Sequence, residues 1–392
     1  MTSSQLPPPG ADMHHYVNGK PFDARSIERL TKEQESVYLA SQWRLMWWKF
    51  KRHKLAMVSA VFLGLLYIMV LIAEFLAPYN YQNRNIDFIY APPQAIHFFH
   101  EGRFEGPFVY GTTFNLNMEN LKREYAVNKA DVQHLRFFCR GDSYEFWGIY
   151  KTDWHLLCPA KGGQAFLLGT DKLGHDVLSR IIHGARISLT IGLAGVAVSI
   201  ILGVILGGIA GYYGGWTDLF VQRLIEVLQS LPSIPLWLVI GALVPITWSA
   251  LAVYFFITVI LGLIEWTGLA RSVRSKLLSL REEDYVLAAQ LMGAGGGRIV
   301  SRHLIPGFTS HLIASATLAI PSMILGETAL SFLGLGLREP IVSWGVLLTQ
   351  AQNINAVALY PWLMLPVVPV ILVVLAFNFL GDGLRDAADP YK

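Results

Sequence analysis

Six stretches of roughly twenty apolar residues recur along this chain, and a stretch of that length matches the thickness of a bilayer's hydrocarbon core. They run from Leu55 to Leu76, Ile187 to Ala210, Leu219 to Val244, Leu251 to Leu269, Phe308 to Leu333 and Tyr360 to Leu380. With 53% hydrophobic and only 15% charged residues among 392, the composition excludes an ordinary soluble domain. Backbone polar groups in lipid must be satisfied within one segment, and the alternation of a membrane barrel is absent, so the expected fold is an all-α polytopic membrane protein with six transmembrane helices. Pro232 and Pro235 predict a kink in the third span.

Basic residues set the orientation. They crowd the approach to the first span, "RLMWWKFKRHK" from Arg44 to Lys54, and the connection between the fourth and fifth, which carries Arg271, Arg274, Lys276, Arg281, Arg298 and Arg302. Both termini and that connection are therefore expected in the cytoplasm. The net charge of +3 is accounted for by topology, with no call for nucleic acid. The expected divisions are a cytoplasmic tail over 1–54, the first span over 55–77, an extracytoplasmic subdomain over 78–166, an interfacial helix over 167–186, a five-helix core over 187–382 with a cytoplasmic loop at 272–306, and a cytoplasmic C-terminus over 383–392. Trp43, Trp47 and Trp48 suit an interfacial belt. A capping-box spacing at Thr31 to Gln34 starts a short amphipathic helix, and the first dozen residues read as disordered. The first apolar run lies too far from Met1 for a signal peptide and reads as an uncleaved anchor.

The segment from Pro78 to Phe166 mixes aromatics, charges and turn signals, which suits a small folded subdomain. Its "RGD" at Arg140 to Asp142 is too short a match to carry meaning. Both cysteines, Cys139 and Cys158, fall here. In an oxidising compartment they favour a disulfide, whose loop closure contributes about 3 kcal/mol, with two unpaired thiols in a small core as the alternative. Next, Val177, Leu178, Ile181 and Ile182 alternate at helical spacing with Asp176, Arg180 and Arg186, predicting a helix along the outer interface. His175 and His183, eight apart, match no compact metal pattern and read as solvated surface residues.

The stretch "DYVLAAQLMGAGGGRIVSRHLIP", Asp284 to Pro306, is polar and glycine-rich between two apolar spans. Tyr285, Ala288, Ala289 and Met292 have helical spacing, "GAGGGR" ends that helix, and a second one closes at Pro306. Small residues at Ala288, Ala289 and Gly293 let another backbone approach. The glycines follow a helix rather than a strand and no GxxxxGK[ST] occurs, so phosphate binding by a P-loop is excluded.

This arrangement resembles the permease subunits of ATP-binding-cassette importers, whose cytoplasmic loop carries Glu-Ala-Ala, three residues, then Gly. Ala288, Ala289 and Gly293 match, while Leu287 stands at the glutamate position. "GTDKLGHDVLSRIIHGARISL", "GYYGGWTDLFVQRLIEVLQSLPS", "LGETALSFLGLGLREPIVSWGVLL" and "AFNFLGDGLRDAADP" look like the second permease subunit of the dipeptide/oligopeptide class, in a subgroup with an enlarged extracytoplasmic insertion between helices 1 and 2. The resemblance implies a type I ABC importer permease fold in the bacterial inner membrane. It also implies a heterodimer with a second permease subunit, two ATP-binding subunits below and an extracytoplasmic solute-binding protein above. Asp284, Tyr285, Ala288, Ala289, Met292, Gly293, Ala294 and Arg302 would couple to an ATPase subunit, with Arg281, Glu282 and Glu283 at the rim as hydrogen-bonding partners or as plain solvated charges.

Glu327 inside the fifth span is costly in lipid, so it is expected to face a partner helix or the aqueous cavity, in a structural or gating role along the path rather than in direct substrate contact. Arg223 and Glu226 are spaced to pair on one helix face. "GLGLREPIVSWG", Gly334 to Gly345, is expected at the outer end of the fifth span, against the binding protein. No HExxH or GxSxG occurs, and no catalytic residue, metal or cofactor is expected. An ion-driven secondary transporter would show inverted repeats, and a peptide receptor would need no docking helix. Oligopeptides are the first expectation for cargo. Oligosaccharides such as α-galactosides come next, then opines or metal chelates.

Overall fold

The structure, a computed structural model, describes residues 39–118, 122–245 and 247–388. The capping-box spacing and the first dozen residues lie outside them. The chain forms two compact units that divide between Leu45 and Met46. Helix α1 (Gln42–Arg52) crosses that boundary, and the helices and strands after it belong to the second unit.

Helices α2 (Lys54–Leu71), α4 (Val177–Tyr213), α7 (Ala250–Leu280) and α9 (Thr309–Phe332), and the stretch Pro361–Ala388 that ends in α11 (Val367–Ala388), are each long and apolar enough to cross a membrane. The expected third span is instead two helices, α5 (Gly215–Ser230) and α6 (Ser233–Ala242), bent by 84°. Pro232 has no N–H to continue the ladder, and Leu231 before it is extended. The described residues thus hold five helices long and apolar enough to span, or up to six candidate spans if the bent pair counts as one.

The separate interfacial helix over 167–186 is corrected. Asp176 caps α4, its side chain accepting from Ser179 N at 2.8 Å, and the helix then runs unbroken for 37 residues, about 55 Å. Along most of that length α4 packs on α7 through small residues. A methyl group at Gly207 would meet the Ala270 carbonyl oxygen at 2.4 Å, and one at Gly262 would meet Val198 Cβ at 2.7 Å. Glycine there lets the two backbones touch. Leu189, Ile191, Leu261, Met323, Ile324 and Trp344 form the centre of the core.

The all-α expectation holds for the spans and fails for the segment that follows the short helix α3 (Ala73–Leu76). β1 (His97–His100), β2 (Arg103–Asn117) and β3 (Lys122–His134) form one antiparallel sheet in sequential order, and β4 (Arg136–Phe146) pairs with β5 (Tyr150–Cys158) in a second. Segments such as "FVYGTTF" and "YKTDWHLL" are rich in the β-branched and aromatic residues that fit a pleated surface. Cys139 and Cys158 are disulfide-bonded, their Cα atoms 6.2 Å apart on the paired strands.

Candidate functional site

The two ends of α4 carry the chemistry. At its C-terminal end Gly296 packs against Tyr212, beside α8 (Asp284–Leu291). Val286 and Ala289 on α8 join Ile299 and Leu304 in a buried cluster against Val273 and Leu277 of α7, which roots the short helix in the body of the chain. Its end is a Schellman motif: Gly293 N donates to Gln290 O at 2.9 Å and Ala294 N to Ala289 O at 3.0 Å. That geometry requires the left-handed backbone Gly293 adopts, φ +81°.

The outward face carries apolar side chains. Leu291 is 90% and Met292 81% exposed, with Tyr285, Leu287 and Ala288 beside them. Gly293 has open space around it. The expectation that Ala288 and Ala289 share the gripped face is corrected, because Ala289 turns inward to the root while Ala288 stays free. Leu291 was not singled out from the sequence; its place on the tip follows only once the helix is known to end at Gly293. Asp284 and Arg302 are exposed and Ala294 is half-buried against the root. Of the rim residues, Arg281 is half-buried with Glu282 at 3.7 Å, and Glu283 occupies the N-cap of α8 without a side-chain capping bond. Arg274 grips Asp218 with both its Nε and Nη2, tying α7 to the first turn of α5. Arg223 and Glu226 pair at 2.6 Å on an exposed face.

Glu327 does not line a cavity. It is fully buried within its own chain, accepting from Ser343 Oγ at 2.7 Å, Ser331 Oγ at 2.8 Å and Ser188 Oγ at 3.1 Å. Each serine oxygen accepts in turn from a backbone N–H, at Val346, Leu337 and Trp344. The cage locks α4, α9 and the loop before α10 (Trp344–Leu348) together. Ser331 stands one helical turn after Glu327, but Ser188 comes from a helix 139 residues away, which no local pattern marks.

At the N-terminal end of α4, the histidines expected on the surface are buried. Asp171 accepts from His175 Nδ1 at 2.9 Å and from Arg180, whose other nitrogen reaches Glu339 at 2.7 Å. Burial alone would raise the Asp171 carboxyl, but the His175 hydrogen bond and the Arg180 charge hold it well below its usual range. Asp176 differs: burial pushes it up to about 6 in spite of the bonds from Ser179, and its Oδ1 has no partner. The "GLGLREPIVSWG" loop thus supplies Glu339 and Ser343 to contacts within this chain. Arg186 holds Glu74 with two bonds of 2.6 and 2.7 Å and stacks 4.1 Å over the Trp147 ring of the β4–β5 turn. Around these groups lies a cavity of about 740 Å³, also lined by Tyr81, Tyr144 and His183.

Residues 203–391 match the family described as the binding-protein-dependent transport system inner membrane component. Residues 41–93 match the N-terminal TM domain of oligopeptide transport permease C. The oligopeptide transport system permease protein OppC of Haemophilus influenzae is 38% identical over 281 residues, 69% of this chain and 88% of the relative. The dipeptide transport system permease protein DppC of Lactococcus lactis is 31% identical over 371 residues, covering 93% of this chain and 94% of its own. DppC of Alkalihalophilus pseudofirmus is 41% identical over 224 residues, 57% of this chain and 71% of that protein.

Proposed function

We propose, from the premise that this chain belongs to the inner-membrane permease subunits of binding-protein-dependent peptide ABC importers, that it forms half of an oligopeptide path and is driven through α8 by a separate ATPase subunit. As a multi-pass membrane transport component it is not itself the ATPase. A second permease subunit completes the path, two ATP-binding subunits sit on the α8 side, and a solute-binding protein delivers cargo to the other.

The observation that carries this reading is the exposed apolar tip, Leu291 and Met292, on a helix whose other face is rooted in α7. Apolar side chains that project this far into water call for a cover. A short helix held by a buried cluster at its base moves with the long helices and can transmit a displacement to them. The basic residues beside α8 and before α2 support placing that side and both termini in the cytoplasm. The Cys139–Cys158 disulfide supports an oxidising compartment for the insert. Peptide cargo rests on the names of the relatives, oligopeptide and dipeptide permeases.

The test uses the assembled importer in proteoliposomes. Met292→Asp is expected to abolish ATP-dependent uptake of a labelled oligopeptide while the subunit still inserts and accumulates; unchanged uptake overturns the coupling role. Uptake competed by unlabelled oligosaccharide and not by peptide overturns the choice of cargo.

A further inference from the structure

The β4–β5 hairpin is bonded to the end of a helix long and apolar enough to cross a membrane. Helix α2 begins at Lys54 and ends at Leu71, and 18 residues cover about 27 Å, nearly the whole hydrocarbon core. Leu71 therefore marks the edge of that core. From there the chain climbs to Ala77, and the β4–β5 hairpin runs beside it in a fixed register. Trp147 Nε1 donates to Leu71 O at 2.9 Å, the Phe138 ring lies 6.2 Å from that of Phe75, and His155 Nδ1 bonds Ala77 O at 2.6 Å. The Leu71 bond is made by the hairpin's tip and the Ala77 bond nearer its base, which sets the direction of the hairpin. Its base is level with Ala77 and its tip, the turn at Trp147 to Ile149, is level with the end of the span.

At that depth the tip presents Ile149, 89% exposed, with Tyr150 and Trp147 beside it. The apolar surface does not stop there, because Leu65, Ile68 and Leu71 on α2 are also exposed. Lys151 follows the tip, and the Arg186 guanidinium covers the inner face of Trp147. Aromatic rings with cations just above an apolar edge are the composition of a membrane interface.

We propose that the β4–β5 hairpin is a lipid-binding element, with Ile149 and Tyr150 inserted at the headgroup–acyl boundary of the leaflet on the insert's side. That this is the outer leaflet rests on the topology proposed above; the contact with lipid does not. Lipid is the occupant because Trp147 bonds the last carbonyl of α2, which brings the exposed Ile149 and Tyr150 to the place where that span leaves the hydrocarbon core. The hairpin ties the insert to the end of α2 and, through Trp147, Arg186 and Glu74, to the first turns of α4.

Both native cysteines are in the disulfide, so Ile149→Cys supplies a single free thiol in this subunit. It is labelled with bimane in the assembled importer, with partner subunits free of reactive cysteine, in nanodiscs of phosphatidylethanolamine and phosphatidylglycerol. The exposed site Asn115→Cys on β2 serves as the aqueous reference. Quenching by lipid carrying a nitroxide near the headgroup is expected at 149 and not at 115, with iodide quenching about tenfold weaker at 149. Equal iodide access at the two positions overturns the proposal. Protection from iodide without quenching by nitroxide lipid also overturns it, and assigns the tip to a protein partner instead.

Discussion

The two ends of α4 are finished in opposite ways. At the N-terminal end buried charges are paired within the chain: Asp171 with His175 and Arg180, Glu339 with Arg180, Glu74 with Arg186. At the C-terminal end the root of α8 is buried while Leu291 and Met292 are left uncovered. A closed polar network holds one end rigid, and an open apolar tip leaves the other to be completed from outside. The contrast separates what the chain needs to fold from what it needs to work.

The largest effect should come from breaking the closed end. Arg180→Ala removes the buried guanidinium shared by Asp171 and Glu339 and leaves Asp171 held by His175 and neighbouring N–H groups alone, a loss of about 3–5 kcal/mol that should cut accumulation and lower the melting temperature in detergent. If that variant melts like the parent, the network is not what fixes this end. The open end should behave in reverse, with Leu291→Asp losing at least about tenfold in coupled uptake at an unchanged melting temperature, because the side chain touches little within its own chain.

A pH series sharpens the comparison. Folding raises Asp176 from 3.8 to about 6, so the folded chain keeps a proton that the unfolded chain has lost. Its contribution to stability is fully present below about pH 3.8 and is lost as the pH rises to about 6. Asp171, shifted downward, acts in the other direction and only in stronger acid. Asp176→Asn, which keeps an acceptor for Ser179 N, should flatten the fall in melting temperature between those pH values; a slope identical to the parent would assign it to another group. The smallest effect is expected at the exposed Arg223–Glu226 pair, where Arg223→Ala should cost less than about 1 kcal/mol in urea or thermal melts.

The open end was largely legible in the sequence and the closed end was not. Runs of twenty apolar residues announce spans by length alone, and Gly293 after a helical stretch marks a C-terminal cap, so α8 and its boundary could be read locally. The periodicity of Asp176, Arg180 and Arg186 was visible too, but it fits a helix whose polar face meets water as well as one whose polar face meets partners inside the protein. Glu74 and Glu339, which decide the matter, come from far along the chain. The β sheets between α3 and α4 likewise depend on pairings such as Tyr110 with Val132 that no local pattern specifies. Ala289 was misassigned because small residues look alike whether they admit a partner or pack on α7.

The uncovered tip is tested most directly by replacing Leu291 with a photo-crosslinking amino acid in the assembled importer and irradiating it with and without ATP. A single dominant adduct to an ATP-binding subunit is the expected result. Adducts only to lipid or to this chain itself, with no ATP-binding subunit captured in either state, would contradict it.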